Sequence, residues 1–381
     1  MNSKIKIVAD NKIPFLNGVL EPYVDIEYLN PADMTNEALR DADGILIRTR
    51  THCNEALLKG TKVRFIATAT IGYDHIDTKY CDEAGIYWVN APGCNSSSVQ
   101  QYISSAILTI AKKNNLQLSE TTIGIVGVGN VGGKVEKIAR LFGMKVLLND
   151  PPRARVEGND KFVTLDEVIL QSDIITFHVP LNKSGEDNTF HLADNLFFAK
   201  LGQKKLLINS SRGPVVQTAS LKKALHEKVI DACVLDVWEN EPNIDNELLS
   251  LVDIATPHIA GYSADGKANG TSMCVEQLCS FFKLPMAVGW YPQEIPPSLY
   301  GSDVAVDCQN KSTQDILFEV VTASYNILSD DATLRGSVET FEQQRGKYPI
   351  RREFPFYRVK LVNANSEIIE IISRLGFNIV L

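Results

Sequence analysis

Three polar residues stand in short stretches that each follow an apolar, strand-like run. Arg212 lies in Ile208-Asn-Ser-Ser-Arg-Gly-Pro-Val-Val216, Glu241 in Val234-Leu-Asp-Val-Trp-Glu-Asn-Glu-Pro242, and His258 in Thr256-Pro-His-Ile-Ala-Gly-Tyr262. The types suit oxidation of a 2-hydroxy acid. A guanidinium grips a carboxylate and the neighbouring oxygen through parallel N–H donors. An imidazole changes charge near neutral pH and can take the hydroxyl proton. A carboxylate beside it orients the ring and stabilises the imidazolium. Taken singly, each residue reads better as a structural loop charge or a satisfied core histidine. The case for chemistry rests on their falling at three successive strand ends.

Such a reaction needs a hydride acceptor, and upstream lies Thr122-Ile-Gly-Ile-Val-Gly-Val-Gly-Asn-Val-Gly132. This is a G-x-G-x-x-G following a strand and opening a helix. Gly127 permits the tight turn, Gly129 lets backbone approach a pyrophosphate, and Gly132 brings helix close to strand. Asn130 and Val131 complete the turn, and the anion is expected at the helix N-terminus. Asp150 closes the next strand, 18 residues after Gly132. An acid there accepts from ribose hydroxyls and repels a 2′-phosphate, which favours NAD over NADP. The alternatives are a glycine turn without a ligand, or another nucleotide such as S-adenosylmethionine.

The elements that must position these groups follow from apolar periodicity. Strands are expected at Ile5–Ala9, Gly44–Arg48, Phe65–Thr68 and Tyr87–Asn90, then at Thr122–Val126, Lys145–Asn149, Ile174–His178, Lys205–Asn209, Ala232–Asp236 and Asp253–Thr256. Helical spacing over Ser98–Asn114 and Gly266–Phe282 suggests two connectors between α/β units. The Pro-rich stretch Trp290–Pro297 reads as a linker. Beyond it come Val304–Asp307, a helix over Ser312–Leu328, Phe356–Val362, a helix over Glu367–Leu375, and Phe377–Val380. The expected fold is α/β. It has two Rossmann-like or flavodoxin-like parallel-sheet domains with a hinge cleft, plus a small C-terminal α+β dimerisation domain. Residues 1–97 with 264–285 form the substrate-binding lid, 98–263 the NAD domain and 290–381 the dimerisation domain, so a homodimer is expected.

Length and composition agree with this. The 381 residues allow two or three domains at about 100–200 residues each. A 44% hydrophobic, 22% charged composition excludes a disordered or fibrous chain. The net charge of −8, from 38 basic and 46 acidic residues, argues against nucleic acid as a partner. A few local arginines can still bind a small anion. Seven scattered cysteines form no C-x-x-C pair or Cys/His cluster, so no metal site and no disulfide framework are expected. Reduced thiols fit a cytoplasmic protein. No apolar run approaches the ~20 residues needed to cross a membrane, and the N-terminus reads as a strand rather than a signal peptide.

In combination, G-V-G-N-V-G, S-R-G, D-V-W-x-x-E-P and P-H-I-A-G resemble the D-isomer-specific 2-hydroxyacid dehydrogenases, over at least residues 1–285. The resemblance implies that Arg212, Glu241 and His258 are the catalytic trio. It places Asp236 near the nicotinamide and Gly261 in the loop beside it. Further stretches, among them Ile47-Arg-Thr-Arg-Thr51, Ala67-Thr-Ala-Thr70, Asp150-Pro-Pro-Arg153 and Arg351-Arg-Glu353, are similar to one member that acts on a small 4-phosphorylated 2-hydroxy acid in vitamin B6 synthesis. That similarity implies substrate contacts at Thr49, Thr70 and Tyr262, and NAD contacts at Asp150, Val179, Asp236 and Gly261. Two positions depart from it. Val179 stands where Thr is usual, and Ser211 where Cys is expected.

A phosphorylated substrate needs cations. Arg48 and Arg50 follow a strand end and are candidates, against the reading of two solvated arginines. Arg351 and Arg352 are candidates to reach the site from the tail of a partner subunit, a point the sequence leaves open. His75 sits near Thr70, where a secondary polar role is possible. His178 is expected near the adenosine, and His52, His191 and His226 read as structural or solvent-facing. Cys94 reads as packing. Two other functions stay open: a different D-2-hydroxyacid dehydrogenase, such as one acting on 3-phosphoglycerate, and an NAD(H)-sensing corepressor. The folded tail and the absence of long disordered extensions weigh against the corepressor.

Overall fold

A computed structural model describes residues 4–158, 160–202, 205–286, 288–299 and 301–380. Two compact units emerge. One comprises residues 1–95 and 263–296, the other 96–262 and 297–381.

The first unit is built on five short strands: β1 (Lys6–Asp10), β2 (Asp25–Leu29), β3 (Gly44–Ile47), β4 (Phe65–Thr68) and β5 (Tyr87–Val89). All pair in parallel in the order β2-β1-β3-β4-β5. This is the flavodoxin-like order. Side chains alternate between two faces, as a strand period of two demands. Ile7, Leu46 and Phe65 enter one core with Val275 and Leu278 of the Ala264–Phe282 helix. Val8, Ile45 and Ile66 enter the other. The periodicity missed β2. Its sequence Asp-Ile-Glu-Tyr-Leu is an edge strand with only partly buried side chains, so no apolar run marks it.

The second unit carries a six-stranded sheet: β6 (Thr122–Val126), β7 (Lys145–Asn149), β8 (Ile174–Phe177), β9 (Lys205–Asn209), β10 (Ile230–Leu235) and β11 (Ile254–Ala255). The order is β11-β10-β9-β8-β6-β7, all parallel. β6 therefore has β7 on one side and β8 on the other. Strand order reverses there, and the loop after β6 opens at the topological switch point where ligands of open α/β sheets bind.

The tail contributes β12 (Asp303–Asp307), β13 (Arg358–Val362) and β14 (Asn378–Val380). These strands run parallel in the order β12-β13-β14, with helices between them, a more regular arrangement than the α+β pattern expected. The tail shares one hydrophobic core with the six-stranded sheet rather than standing as a third compact body. Val320, Tyr357 and Val359 lie in the same cluster as Ile103, Ile107, Ile125 and Val234. This explains the Ser96–Asn114 helix. Its polar residues Gln101, Ser104 and Ser105 are buried, and the tail packs against this helix. Ser105 Oγ donates to the Tyr325 carbonyl (2.9 Å) and Ser98 Oγ to Glu353 Oε1 (2.8 Å).

The single helix expected over Ser312–Leu328 is two, Thr313–Ser324 and Ile327–Gly336. Tyr325 is extended between them, and Asn326 caps the second by accepting from the Leu328 N–H. A side-chain cap of this kind starts a new helix where apolar spacing alone would continue the old one. No helix among the described residues is long and apolar enough to cross a membrane.

Candidate active site

The loop after β6 is shaped by contacts that exclude a Cβ. Gly127 has φ +89°, and a Cβ there would lie 2.7 Å from the His178 carbonyl oxygen and 2.8 Å from Val179 Cγ1. A Cβ on Gly132 would sit 2.0 Å from the Gly127 carbonyl oxygen. Helix and turn are thus in backbone contact. Gly129 is the N-cap of the Asn130–Leu141 helix and offers no side-chain acceptor, and its Cβ direction is open. The first N–H groups of that helix, on Asn130, Val131 and Gly132, have no acceptor within the helix and remain for an anion. Asp150 closes the arrangement. Its Oδ2 accepts from the Val128 N–H (2.8 Å), and its Oδ1 caps the next helix at the Arg153 N–H (3.1 Å). A carboxylate oxygen accepts more than one bond, so capacity for a hydroxyl remains. This cradle and acid fit a dinucleotide. Val179 packs on the turn with its apolar side chain.

The three candidate catalytic residues sit beyond the C-terminal ends of β9, β10 and β11. Asn209 folds the first loop. Its Oδ1 accepts from the Ser211 N–H (3.1 Å) and Oγ (2.9 Å), and its Nδ2 donates to the Arg212 carbonyl (3.0 Å). Ser211, where Cys was expected, thus serves the turn as a hydroxyl donor. Gly213 lets this loop touch the next one, since a Cβ there would meet the Trp238 carbonyl oxygen at 2.0 Å. Arg212 donates from Nη1 to the Ser211 carbonyl (2.8 Å) and is half-buried.

Glu241 and His258 form the central pair. His258 Nδ1 lies 2.7 Å from Glu241 Oε2, while Glu241 Oε1 accepts from the Trp238 N–H (2.8 Å). Burial alone would raise the Glu241 carboxyl. The His258 ring, the Trp238 N–H and Arg345 outweigh it and hold the group below its ordinary value. Glu241 is therefore ionised, its bond to His258 places the proton on Nδ1, and the Nε2 lone pair is left available.

Asp236 supports the histidine loop. It is 1% exposed, and its carboxylate accepts from Thr256 Oγ1 (2.6 Å), the Ile259 N–H (2.8 Å) and the Ala260 N–H (2.9 Å). Its carbonyl accepts from the His258 N–H (2.7 Å). Burial raises its carboxyl, only partly offset by His258, Thr256 and those N–H groups. Tyr102 of the long helix joins through Thr256 Oγ1 (2.8 Å), and Trp238 Nε1 donates to the Thr256 carbonyl (3.0 Å). Gly261 follows directly, and Tyr262 meets Tyr348 edge to face at 6.0 Å.

The tail arginines make contacts within their own chain. Arg351 is 5% exposed and donates to the Ile259 and Ala260 carbonyls of its own chain. Arg352 stacks over Phe356 at 4.3 Å within the same unit. Arg345 lies over the Tyr262 ring at 5.9 Å and pairs with Glu342 at 2.7 Å. Sequence reasoning missed Asn209, Thr256, Tyr102 and Arg345. Thr256 and Asn209 flank motifs already noted, but nothing local to Tyr102 or Arg345 signals a site.

Arg48, Thr49 and Thr70 belong to the first unit. Arg48 Nη1 donates to the Lys12 carbonyl (3.2 Å), and Thr49 is exposed. Thr70 Oγ1 bonds Thr68 Oγ1 (2.8 Å) and the Gly72 carbonyl (2.9 Å), and His75 Nε2 reaches Thr68 at 3.1 Å. His178 lies at the end of β8, where burial pushes its pKa down to about 3 and keeps it neutral. His191 pairs with Glu239 (2.7 Å) and His226 with Glu247 (3.1 Å), as structural contacts. All seven cysteines are free and buried, Cys94 among them.

Residues 98–260 match the family described as D-isomer specific 2-hydroxyacid dehydrogenase, NAD binding domain, and residues 303–376 match a domain of unknown function. A D-lactate dehydrogenase from Aquifex aeolicus, solved with NAD and lactic acid, superposes with a TM-score of 0.61 at 26% identity, covering 73% of this chain and 95% of that one. Fold and glycine loop thus define an NAD-dependent oxidoreductase of the D-2-hydroxyacid dehydrogenase class. The likeness to individual members extends much further. The chain is 49% identical over 356 residues to an erythronate-4-phosphate dehydrogenase from Bacteroides thetaiotaomicron, covering 93% of this chain and 99% of that one. It is 40% identical over 374 residues to that of Porphyromonas gingivalis, covering 98% of this chain and 100% of that one. The chain belongs to the erythronate-4-phosphate dehydrogenase family.

Proposed function

We propose that the protein oxidises 4-phospho-D-erythronate at C2, giving 2-oxo-3-hydroxy-4-phosphobutanoate, as a step of vitamin B6 synthesis in the cytoplasm. The observation that carries the chemistry is the 2.7 Å bond between Glu241 Oε2 and His258 Nδ1. It fixes the tautomer whose Nε2 accepts a proton. The full-length likeness to relatives of that name supports the substrate.

NAD, when bound, supplies the acceptor for the hydride leaving C2. Gly127, Gly129, Asn130, Val131 and Gly132 would hold its pyrophosphate, Asp150 its ribose, and Val179, Asp236 and Gly261 would line the remainder. His258 Nε2 takes the C2 hydroxyl proton as the C–H bond breaks and the carbonyl forms. Glu241 stabilises the imidazolium so created, within a site where charge pairs are little screened. Arg212 grips the substrate carboxylate with its planar donors.

Tyr262 and the first-unit residues Arg48, Thr49 and Thr70 are proposed substrate contacts, from their match to the family pattern. Residues 1–97 with 264–285 serve as the substrate-binding domain, 98–263 as the NAD domain and 290–381 as the dimerisation domain of a homodimer. The buried thiols, none of them in a disulfide, suit a reducing compartment.

The test is NADH formation from 4-phospho-D-erythronate, run for the wild type and His258→Asn. The variant is expected to bind NAD with nearly unchanged affinity and to lose turnover by at least about a thousandfold. Near-normal turnover would overturn the reading.

A further inference from the structure

The loop that carries His258 is held from two sides by opposite charges. On the sheet side, Asp236 accepts from the Ile259 and Ala260 N–H groups. On the tail side, Arg351 Nη2 donates to the carbonyls of the same two residues, at 3.3 and 2.5 Å. The two peptides are thus clamped through their N–H groups by a carboxylate and through their carbonyls by a guanidinium. His258 itself has φ +57°, a left-handed conformation that a non-glycine residue holds only when its surroundings enforce it.

Arg351 is itself held firmly. It is 5% exposed, and its guanidinium carbon lies 4.4 Å from the Tyr325 ring centroid and 5.8 Å from that of Tyr348. Both tyrosine hydroxyls donate to Asp330 Oδ2 at 2.7 Å, so the rings that flank the cation are tied to one carboxylate. Its Nε and Nη1 are buried without hydrogen-bond partners. Leaving donors unpaired in the interior is unfavourable. A purely structural role would be better served by an apolar side chain. The hydrogen bonds the group does make among the described residues go to the histidine loop.

We propose that Arg351, in the tail segment whose family model is a domain of unknown function, is a positioning residue for His258. It acts by fixing the Ile259–Ala260 peptides against Asp236. This rests on the reading of His258 as the proton acceptor. It gives the tail a part in turnover within the same chain, separate from dimerisation.

The experiment compares Arg351→Met and Arg351→Lys in the full-length enzyme, with His258→Asn alongside. Methionine keeps bulk and removes the donor, whereas a lysine ammonium can serve both carbonyls as the single Nη2 does. Arg351→Met is expected to lower kcat 30- to 100-fold with the NAD Kd within threefold of wild type. Arg351→Lys is expected to recover kcat to within about fivefold. The proposal is overturned if folded Arg351→Met keeps kcat within threefold, if lysine rescues nothing, or if the loss lies wholly in NAD affinity. Should Arg351→Met fail to fold, Tyr348→Phe decides. It retains the ring but removes one of the two hydroxyls that hold Asp330, and is expected to lower kcat three- to tenfold at unchanged NAD affinity; wild-type kcat there overturns the clamp. If His258→Asn retains turnover, the underlying reading fails instead. If His258→Asn is inactive while Arg351→Met is normal, only the clamp fails.

Discussion

Replacing Glu241 with Gln changes one atom and reverses the hydrogen-bond logic of the site. Glu241 accepts twice, from the Trp238 N–H at 2.8 Å and from His258 Nδ1 at 2.7 Å. A glutamine has only one acceptor oxygen. If that oxygen stays on Trp238, the amide NH2 faces Nδ1. The imidazole must then carry its proton on Nε2, where it cannot take the substrate's. If the amide flips, the NH2 meets the Trp238 N–H and a buried donor is orphaned. The charge that stabilises the imidazolium is lost either way. A hydrogen bond to a charged group contributes about 1.5–3 kcal/mol, and an unsatisfied buried donor costs about 1–3. Together these come to about 2.5–6 kcal/mol, or roughly 10²- to 10⁴-fold in kcat at about 1.4 kcal/mol per decade. Steady-state NADH formation at saturating substrate measures kcat, and a fluorescence titration measures NAD affinity, expected within about threefold of wild type. A kcat for Glu241→Gln within fivefold of wild type would refute the tautomer argument.

Gly132→Ala should weaken NAD binding by at least about tenfold, because its Cβ would sit 2.0 Å from the Gly127 carbonyl and force the anion-binding turn open; calorimetry would show it, and an unchanged Kd contradicts it. Gly213→Ala, with a Cβ 2.0 Å from the Trp238 carbonyl, should instead lower kcat and Tm while sparing NAD affinity, since it parts the Arg212 loop from the Glu241 turn. The folded-state carboxyl of Glu241 lies below its ordinary 4.5, so its stabilisation is complete above that pH and is lost as pH falls through the folded value. The Tm gap between wild type and Glu241→Gln should therefore be widest above about pH 5 and shrink below about pH 4. A gap independent of pH would show that the ionised carboxylate contributes nothing.

The parallel α/β sheets, the glycine turn and the Glu241–His258 pairing were legible because local signals specify them. Buried parallel strands read as apolar runs, and a G-x-G-x-x-G turn is fixed by backbone contact within a few residues. The edge strand β2 was not legible, since its exposed Asp25 and Glu27 leave no run to detect. The tail's packing was hidden for a different reason. Gln101, Ser104 and Ser105 look like a solvent-facing stripe until a segment more than 200 residues later covers them. Arg351 follows the same pattern, because its partners at Ile259 and Ala260 are set by tertiary approach and not by any spacing. Asp236 is placed near the nicotinamide by resemblance, and its sequence gives no sign that its carboxylate also accepts from Thr256, Ile259 and Ala260.

The central claim concerns which hydroxy acid this enzyme oxidises. The most direct measurement is the ratio of kcat/KM for 4-phospho-D-erythronate to that for 3-phosphoglycerate, with NAD as acceptor. Substrates differing by one carbon and its hydroxyl are separated when that hydroxyl is bonded in the site. A ratio of at least about 100 in favour of the erythronate is predicted. A ratio near or below one would contradict the account.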